Sequence, residues 1–178
     1  PSFYRDEYDE NGDFLRLVPT EAEAEPVIRK CVVADEETVF FPTKPIVPNI
    51  DIVHNRAVLE LFRGCSRGCR FCQAGILYRP VRGKTPERLV ELAKEIIANS
   101  GYDEISLMSL SSADYSRLPE LVDLLLEAFK GRKVSVSLPS LRVDSFSVDI
   151  AKKVQQVRKS GLTFAPEAGT QRLRDVIN

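Results

Sequence analysis

The sequence predicts an α/β fold: successive βα units behind a shorter, irregular β-containing segment. Three observations carry this. From Ala57 onward, short apolar runs alternate with helix-length amphipathic stretches. The strand-like runs start near residues 57, 104, 133 and 162, at intervals of 47, 29 and 29 residues. Such intervals suit strands joined in parallel by crossover helices. Residues 1–56 instead hold Pro19, Pro26, Pro42, Pro45 and Pro48, an acidic run at Glu21, Glu23 and Glu25, and no helical periodicity. The expected division is therefore a linker-like N-terminal segment, 1–56, and a βα region, 57–178.

In the first segment, Asn11-Gly12 is a turn signal between Ser2–Tyr8 and Phe14–Val18, which predicts a hairpin. Val27–Val33 reads as a third strand, and Phe40–Pro48 as an extended connector stiffened by proline. Ala57–Phe62 is the first strand of the βα series. Pro86–Asn99 is a helix: Thr85 caps it, Pro86 suits its first turn, Leu89, Leu92, Ala93, Ile96 and Ile97 share a face, and Gly101 ends it. Glu104–Leu110, Lys133–Leu138 and Leu162–Ala165 are further strands. Pro119–Phe129, stopped by Gly131, Ser147–Lys159, and Thr170–Ile177 are further helices, with Ser147 and Thr170 as caps.

Four units cannot close an eight-stranded barrel. The fold class expected is a partial, truncated TIM-like (β/α) barrel of about four units. The last helix ends with Val176 and Ile177 still apolar, so the chain reads as a piece of a longer polypeptide. Its loops that follow strands share one edge, where α/β enzymes bind ligands.

Composition excludes several classes. The 178 residues are 43% hydrophobic and 29% charged, a globular mixture. Lys and Arg total 25 against 26 Asp and Glu, for a net charge of −1, so the whole chain is no polycation and DNA is not an expected partner. No apolar run approaches the ~18 residues of a membrane span, and Pro1–Glu10 is polar rather than signal-like. A cytoplasmic protein without a membrane partner is expected. Four cysteines are too few for a disulfide scaffold.

Three of those cysteines fall in one loop, Gly64-Cys65-Ser66-Arg67-Gly68-Cys69-Arg70-Phe71-Cys72, directly after the first strand. Three thiolates so spaced can hold three irons of a [4Fe–4S] cube and leave the fourth without a protein ligand. An open metal position is a place for reaction. The competing reading is a zinc-stabilised RNA-binding module, with His54 or Cys31 as the fourth ligand. Cys31, in the run Cys31-Val32-Val33, otherwise reads as a small buried hydrophobe, and His54 as a surface or packed histidine.

Cys65, Cys69 and Cys72, with Phe71 before the third cysteine, resemble the signature of the radical S-adenosylmethionine superfamily. The stretches FPTKPIVPNIDIVHNRAVLELFRGCSRGCRFCQAG, SLPSLRVDSF and GLTFAPEAGTQRLRDVIN are similar to a narrower group, radical enzymes with an upstream cobalamin-binding-type domain. That likeness covers about residues 30–178. Cobalamin is thereby expected only in a full-length protein.

The resemblance implies a [4Fe–4S] cluster on Cys65, Cys69 and Cys72 that binds S-adenosylmethionine and cleaves it to a 5′-deoxyadenosyl radical. Hydrogen abstraction or a methyl- or methylthio-type transfer on a substrate would follow. It also implies an electron donor such as flavodoxin or ferredoxin. Ser111 and Ser112, in Leu110-Ser111-Ser112-Ala113-Asp114, occupy the place that orients the methionyl amino group, though relatives often carry glycine there. Ser137 stands on the third strand and Arg142 beyond it, suited to the methionyl carboxylate. Glu167 would accept the ribose hydroxyls, and Phe71 would lie by the adenine.

Charge adds one expectation. Between Arg63 and Arg88 the chain holds seven cations, Arg63, Arg67, Arg70, Arg79, Arg82, Lys84 and Arg88, against one acid, Glu87. A thiolate-held cluster is anionic, so nearby cations help hold it. The excess also suggests an anionic substrate, phosphate-bearing or RNA.

Overall fold

The computed structural model describes residues 3–144, 147–158, 161–162 and 164–177. The chain divides into two compact units, Pro1–Val33 and Ala34–Asn178. In the first, β1 (Tyr4–Tyr8) pairs antiparallel with β2 (Phe14–Pro19), from Tyr4 opposite Pro19 to Tyr8 opposite Phe14. Gly12 takes a left-handed φ of 84° in the turn, and the Asp9 carboxylate accepts from the amides of Asn11 (2.9 Å) and Asp13 (2.8 Å). Ser2, placed in this hairpin by the sequence, lies outside the described residues. The expected third strand is not formed: Val27–Val33 has no ladder partner, and Val27 is 63% exposed. β-branched composition alone does not make a strand without a face to bury. Cys31, expected in a core, is exposed for the same reason.

The second unit is built on a parallel sheet in the order β3 (Ala57–Glu60), β6 (Glu104–Met108), β7 (Ser135–Ser137). Ala57 lies opposite Ile105, and Ile105 opposite Val136. Helix α2 (Pro86–Ser100) connects β3 to β6, and α3 (Leu118–Ala128) connects β6 to β7. Leu89, Leu92, Ala93 and Ile96 of α2 and Leu121, Val122 and Leu125 of α3 close over Leu59, Leu61, Ile105, Leu107 and Val136 in one core. The end signals of α2 work as the sequence predicts. Thr85 Oγ1 accepts from the Arg88 amide at 3.3 Å, and Gly101 stops the helix with φ 73°. α3 begins at Leu118, and α4 (Val148–Val154) is shorter than expected, with Lys159 outside the described residues. Of the expected fourth strand, Phe164 makes a single parallel bridge to Leu141, and Thr163 lies outside the described residues. α5 (Gln171–Ile177) follows, with Thr170 Oγ1 accepting from Leu173 N at 3.3 Å.

One departure from the expected first strand shapes the site. The run predicted as Ala57–Phe62 breaks at Leu61, whose N–H donates to Met108 O (2.9 Å) and whose carbonyl accepts from Lys84 N (3.1 Å). Beyond it, β4 (Phe62–Arg63) turns away from the sheet and pairs antiparallel with β5 (Arg82–Gly83). The chain between them, residues 64–81, is a loop whose two ends are stapled together. It contains the cysteines and the single turn α1 (Ala74–Leu77).

Residues 34–56 carry no helix or strand. Phe41 nevertheless packs on the core and Glu36 is buried.

Candidate metal centre

The clamp explains the glycine before the first cysteine. Gly64 has φ 99°, and a Cβ there would lie 2.2 Å from Tyr78 O and 3.0 Å from Pro80 O, so only hydrogen fits against the returning strand. Gly68, φ 68°, gives a second left-handed step, and Cys72 N donates to Cys69 O at 2.9 Å to form a tight turn. Cys65, Cys69 and Cys72 are all free thiols and all partly exposed. Two meet donors: the Arg67 amide points at Cys65 Sγ (3.5 Å) and Arg142 Nη1 at Cys69 Sγ (3.6 Å).

Among the described residues, no three His, Cys, Asp or Glu side chains are gathered at metal-site spacing. The loop thus puts three thiols on one short stretch without drawing them together. Binding of a metal or cluster would supply the free energy that gathers its ligands. The donor set, three open thiols with hydrogen-bond donors at two sulfurs, fits an iron–sulfur cluster. His54, a zinc ligand in the alternative reading, has its Nδ1 2.7 Å from Arg56 Nη2.

An ionic network joins this loop to the other strand ends. Arg67 binds Asp114, after β6, with two hydrogen bonds, one of them Nε to Oδ2 at 2.7 Å. Its Nη1 reaches Asp144, after β7, at 3.4 Å. Asp144 in turn takes Nε and Nη2 of Arg142, both at 3.0 Å. The Arg67 guanidinium therefore holds the Asp114 carboxyl below its ordinary value, and Arg142 does the same for Asp144. Three loops that are distant in sequence are thus tied at one sheet edge.

The remaining predicted residues are placed as follows. Ser111 is buried, and the hydroxyls of Ser111 and Ser137 are enclosed without a hydrogen-bond partner among the described residues. Each lies near enough to a carboxylate, Asp114 and Glu104 respectively, to favour its charged form. Two enclosed hydroxyls without a partner at good hydrogen-bond geometry, one on β7 and one in the loop after β6, are unusual. Ser112 differs: its hydroxyl donates to Leu107 O at 2.9 Å and accepts from Ser109 Oγ at 3.3 Å. Arg142 is half-buried beside Cys69, whereas Phe71 is 59% exposed. Glu167 is exposed, in a left-handed turn with φ 63°.

The basic stretch resolves into individual pairings. Arg63 binds Glu60, Arg67 binds Asp114 and Asp144, Arg82 and Lys84 share Glu36, and Arg88 binds Glu91. Arg70 donates to the Val176 carbonyl at the end of α5, and Arg79 to the carbonyls of Cys65 and Ser66, each at 3.4 Å. Sequence reading missed the acids that balance the stretch. Their one signal was Asp114 and Asp144 each following a strand in the series that the cysteine loop begins.

A parallel βα sheet followed by a clamped loop that carries three partly exposed thiols places this chain among α/β proteins with a candidate cofactor site after the first strand. The pattern of the Radical SAM superfamily matches residues 59–178, and the chain belongs to that superfamily. Membership implies a [4Fe–4S] cluster and S-adenosylmethionine as cofactors. Over 172 residues, 92% of this chain, it is 30% identical to the uncharacterized protein MJ0966 of Methanocaldococcus jannaschii. Over 115 residues, 62% of the chain, it is 35% identical to the ribosomal protein uS12 methylthiotransferase RimO of Prochlorococcus marinus. The chain spans 37% and 24% of the lengths of those two proteins. Among the described residues, no helix is long and apolar enough to cross a membrane.

Proposed function

We propose that this chain is the cofactor-binding part of a radical S-adenosylmethionine enzyme, the first units of a partial (β/α) barrel. The observation that carries the reading is the clamped loop presenting Cys65, Cys69 and Cys72 at the edge where β6 and β7 end. In that reading the three thiolates hold the [4Fe–4S] cluster. When bound, the cluster would supply the electron for reductive cleavage of S-adenosylmethionine.

The chain's own residues bind and orient. Ser111 and Ser137 keep hydroxyls in reserve for the ligand's polar groups, and a buried hydroxyl without a partner gains most from one. Arg142, a planar fork beside Cys69, suits the methionyl carboxylate, which must then share the guanidinium with Asp144. Ser112 acts through the backbone, since its hydroxyl braces the turn after β6. Phe71 offers a ring for the adenine, and Glu167 its carboxylate for the ribose, from exposed positions. Arg67 ties the cysteine loop to Asp114 and so limits its movement. No residue of this chain is given a cobalamin role.

The relation to RimO favours methylthio-type transfer over simple hydrogen abstraction as the reaction class. A flavodoxin- or ferredoxin-like donor supplies the electron. An anionic substrate or RNA is carried forward on the charge of the basic stretch alone, and the carboxylates paired to five of its seven cations count against it.

The test is anaerobic reconstitution followed by reduction with S-adenosylmethionine present. Sulfur-to-iron visible absorption and release of 5′-deoxyadenosine are expected, with S-adenosylhomocysteine in addition if a methyl group is transferred. A colourless protein holding zinc in equal amount would overturn the reading.

A further inference from the structure

We propose that Glu36 is a positioning residue for the cysteine loop, which makes the strap of residues 34–43 part of the machinery that holds the cluster. This rests on the reading that Cys65, Cys69 and Cys72 bind that cluster. Glu36 is only 3% exposed, although it lies in a segment without helix or strand. A carboxylate is rarely buried so fully unless it is paired. Its partners are Arg82 Nε at 3.3 Å and Lys84 Nζ at 3.6 Å, and Lys84 is itself 4% exposed.

Those two cations sit where the loop returns. Arg82 belongs to β5, which pairs with β4 directly before Gly64 and Cys65. Lys84 follows β5, with its N–H on Leu61 O (3.1 Å) and its carbonyl accepting from Tyr115 OH (2.7 Å). Lys84 and Cys65 line the same cleft of about 280 Å³, with Phe62 and Tyr115. The strap continues alongside: Glu37 accepts from the Thr85 amide and, at 3.3 Å, from Thr85 Oγ1, and Asn99 Nδ2 donates to Thr43 O at 3.0 Å.

One carboxylate thus holds a buried lysine and a partly buried arginine together at the foot of the cysteine loop. Neutralising it leaves those cations to repel each other in a poorly solvated place. Movement of β5 relieves that repulsion, and β4 with Cys65 moves with it. Glu37, one residue on, engages the start of α2 and not the clamp, which makes it the natural control.

The experiment compares wild type, Glu36→Gln, Glu36→Gln/Lys84→Met, Glu36→Asp and Glu37→Gln. The readouts are iron release from the reconstituted protein to a ferrous chelator, tryptic cleavage of the metal-free loop at Arg67 and Arg70, and thermal unfolding. Glu36→Gln is expected to release iron about ten-fold faster, the usual scale for losing a supporting group at a metal site, and to be cut faster in the loop. Glu36→Gln/Lys84→Met, which restores the charge balance, returns both rates most of the way. Glu37→Gln lowers the unfolding temperature with release and loop cleavage unchanged. Wild-type rates in Glu36→Gln, no recovery in the double variant, or equal acceleration in Glu37→Gln would each overturn the proposal. Should Glu36→Gln not fold, Glu36→Asp, charged but shorter in reach, is expected at an intermediate rate, and a wild-type rate there overturns it. A wild-type protein that takes up no cluster counts against the iron–sulfur reading instead, and loop cleavage then decides the Glu36 claim alone.

Discussion

Replacing Gly64 with alanine separates a clamped cysteine loop from a merely flexible one. The new Cβ would lie 2.2 Å from Tyr78 O and 3.0 Å from Pro80 O, and both are backbone atoms that cannot rotate aside. Relief requires the chain at Gly64 to withdraw by about 1 Å, to the ordinary carbon–oxygen separation. That shift pulls at the Phe62–Gly83 and Arg63–Arg82 pairing of the β4–β5 clamp. A left-handed φ on a residue with a side chain adds about 1–3 kcal/mol, and each disturbed hydrogen bond about 1 kcal/mol. The sum, about 3–5 kcal/mol, corresponds to a change of roughly a hundred-fold or more in the population of the clamped loop. Gly101→Ala is the comparison: φ is 73° there too, yet nothing lies within 4 Å, so it carries only the conformational cost of about 1 kcal/mol. Urea unfolding and iron content after anaerobic reconstitution report both effects. Gly101→Ala is expected to load iron fully with slightly lower stability, and Gly64→Ala to lose most of its iron. Full, stable loading of Gly64→Ala would refute the clamp.

Three further outcomes follow. Asp114 has a folded pKa held below its ordinary value by Arg67, so its contribution is complete above that value and is lost as pH falls through the folded one. Asp114→Asn should therefore cost about 1 kcal/mol at neutral pH, discounted for partial exposure, and nothing at low pH, so its urea-unfolding curve should approach that of wild type on acidification. Ser111→Ala removes an enclosed hydroxyl that meets no partner at good hydrogen-bond geometry among the described residues, and should leave stability within about 0.5 kcal/mol while weakening S-adenosylmethionine binding about three- to ten-fold by calorimetry. Thr85→Ala deletes the cap of α2 and should cost about 1 kcal/mol in urea unfolding without affecting bound iron.

Local signals made much of this molecule legible. Thr85, Pro86 and Gly101 punctuate α2, whose apolar face repeats at helical spacing, and the parallel order of β3, β6 and β7 follows from their spacing. The cysteines were legible because their chemistry is carried by one short loop. The β4–β5 clamp was not: two-residue strands have no periodicity, and Arg82-Gly83 reads as loop. Glu36 was hidden because its partners lie 46 and 48 positions away, and nothing in VADEET marks one acid as buried. Val27–Val33 misled in the opposite direction, since its strand-like composition forms no strand among the described residues and Val27, Ile28 and Val33 stay exposed.

The central claim is that Cys65, Cys69 and Cys72 hold a cluster with one iron open to S-adenosylmethionine. Electron paramagnetic resonance of the reduced, reconstituted protein tests it most directly. The account predicts a [4Fe–4S] signal that changes when S-adenosylmethionine is added and disappears in Cys65→Ser, Cys69→Ser and Cys72→Ser alike. A signal indifferent to S-adenosylmethionine, or one that survives loss of any of the three cysteines, would contradict it.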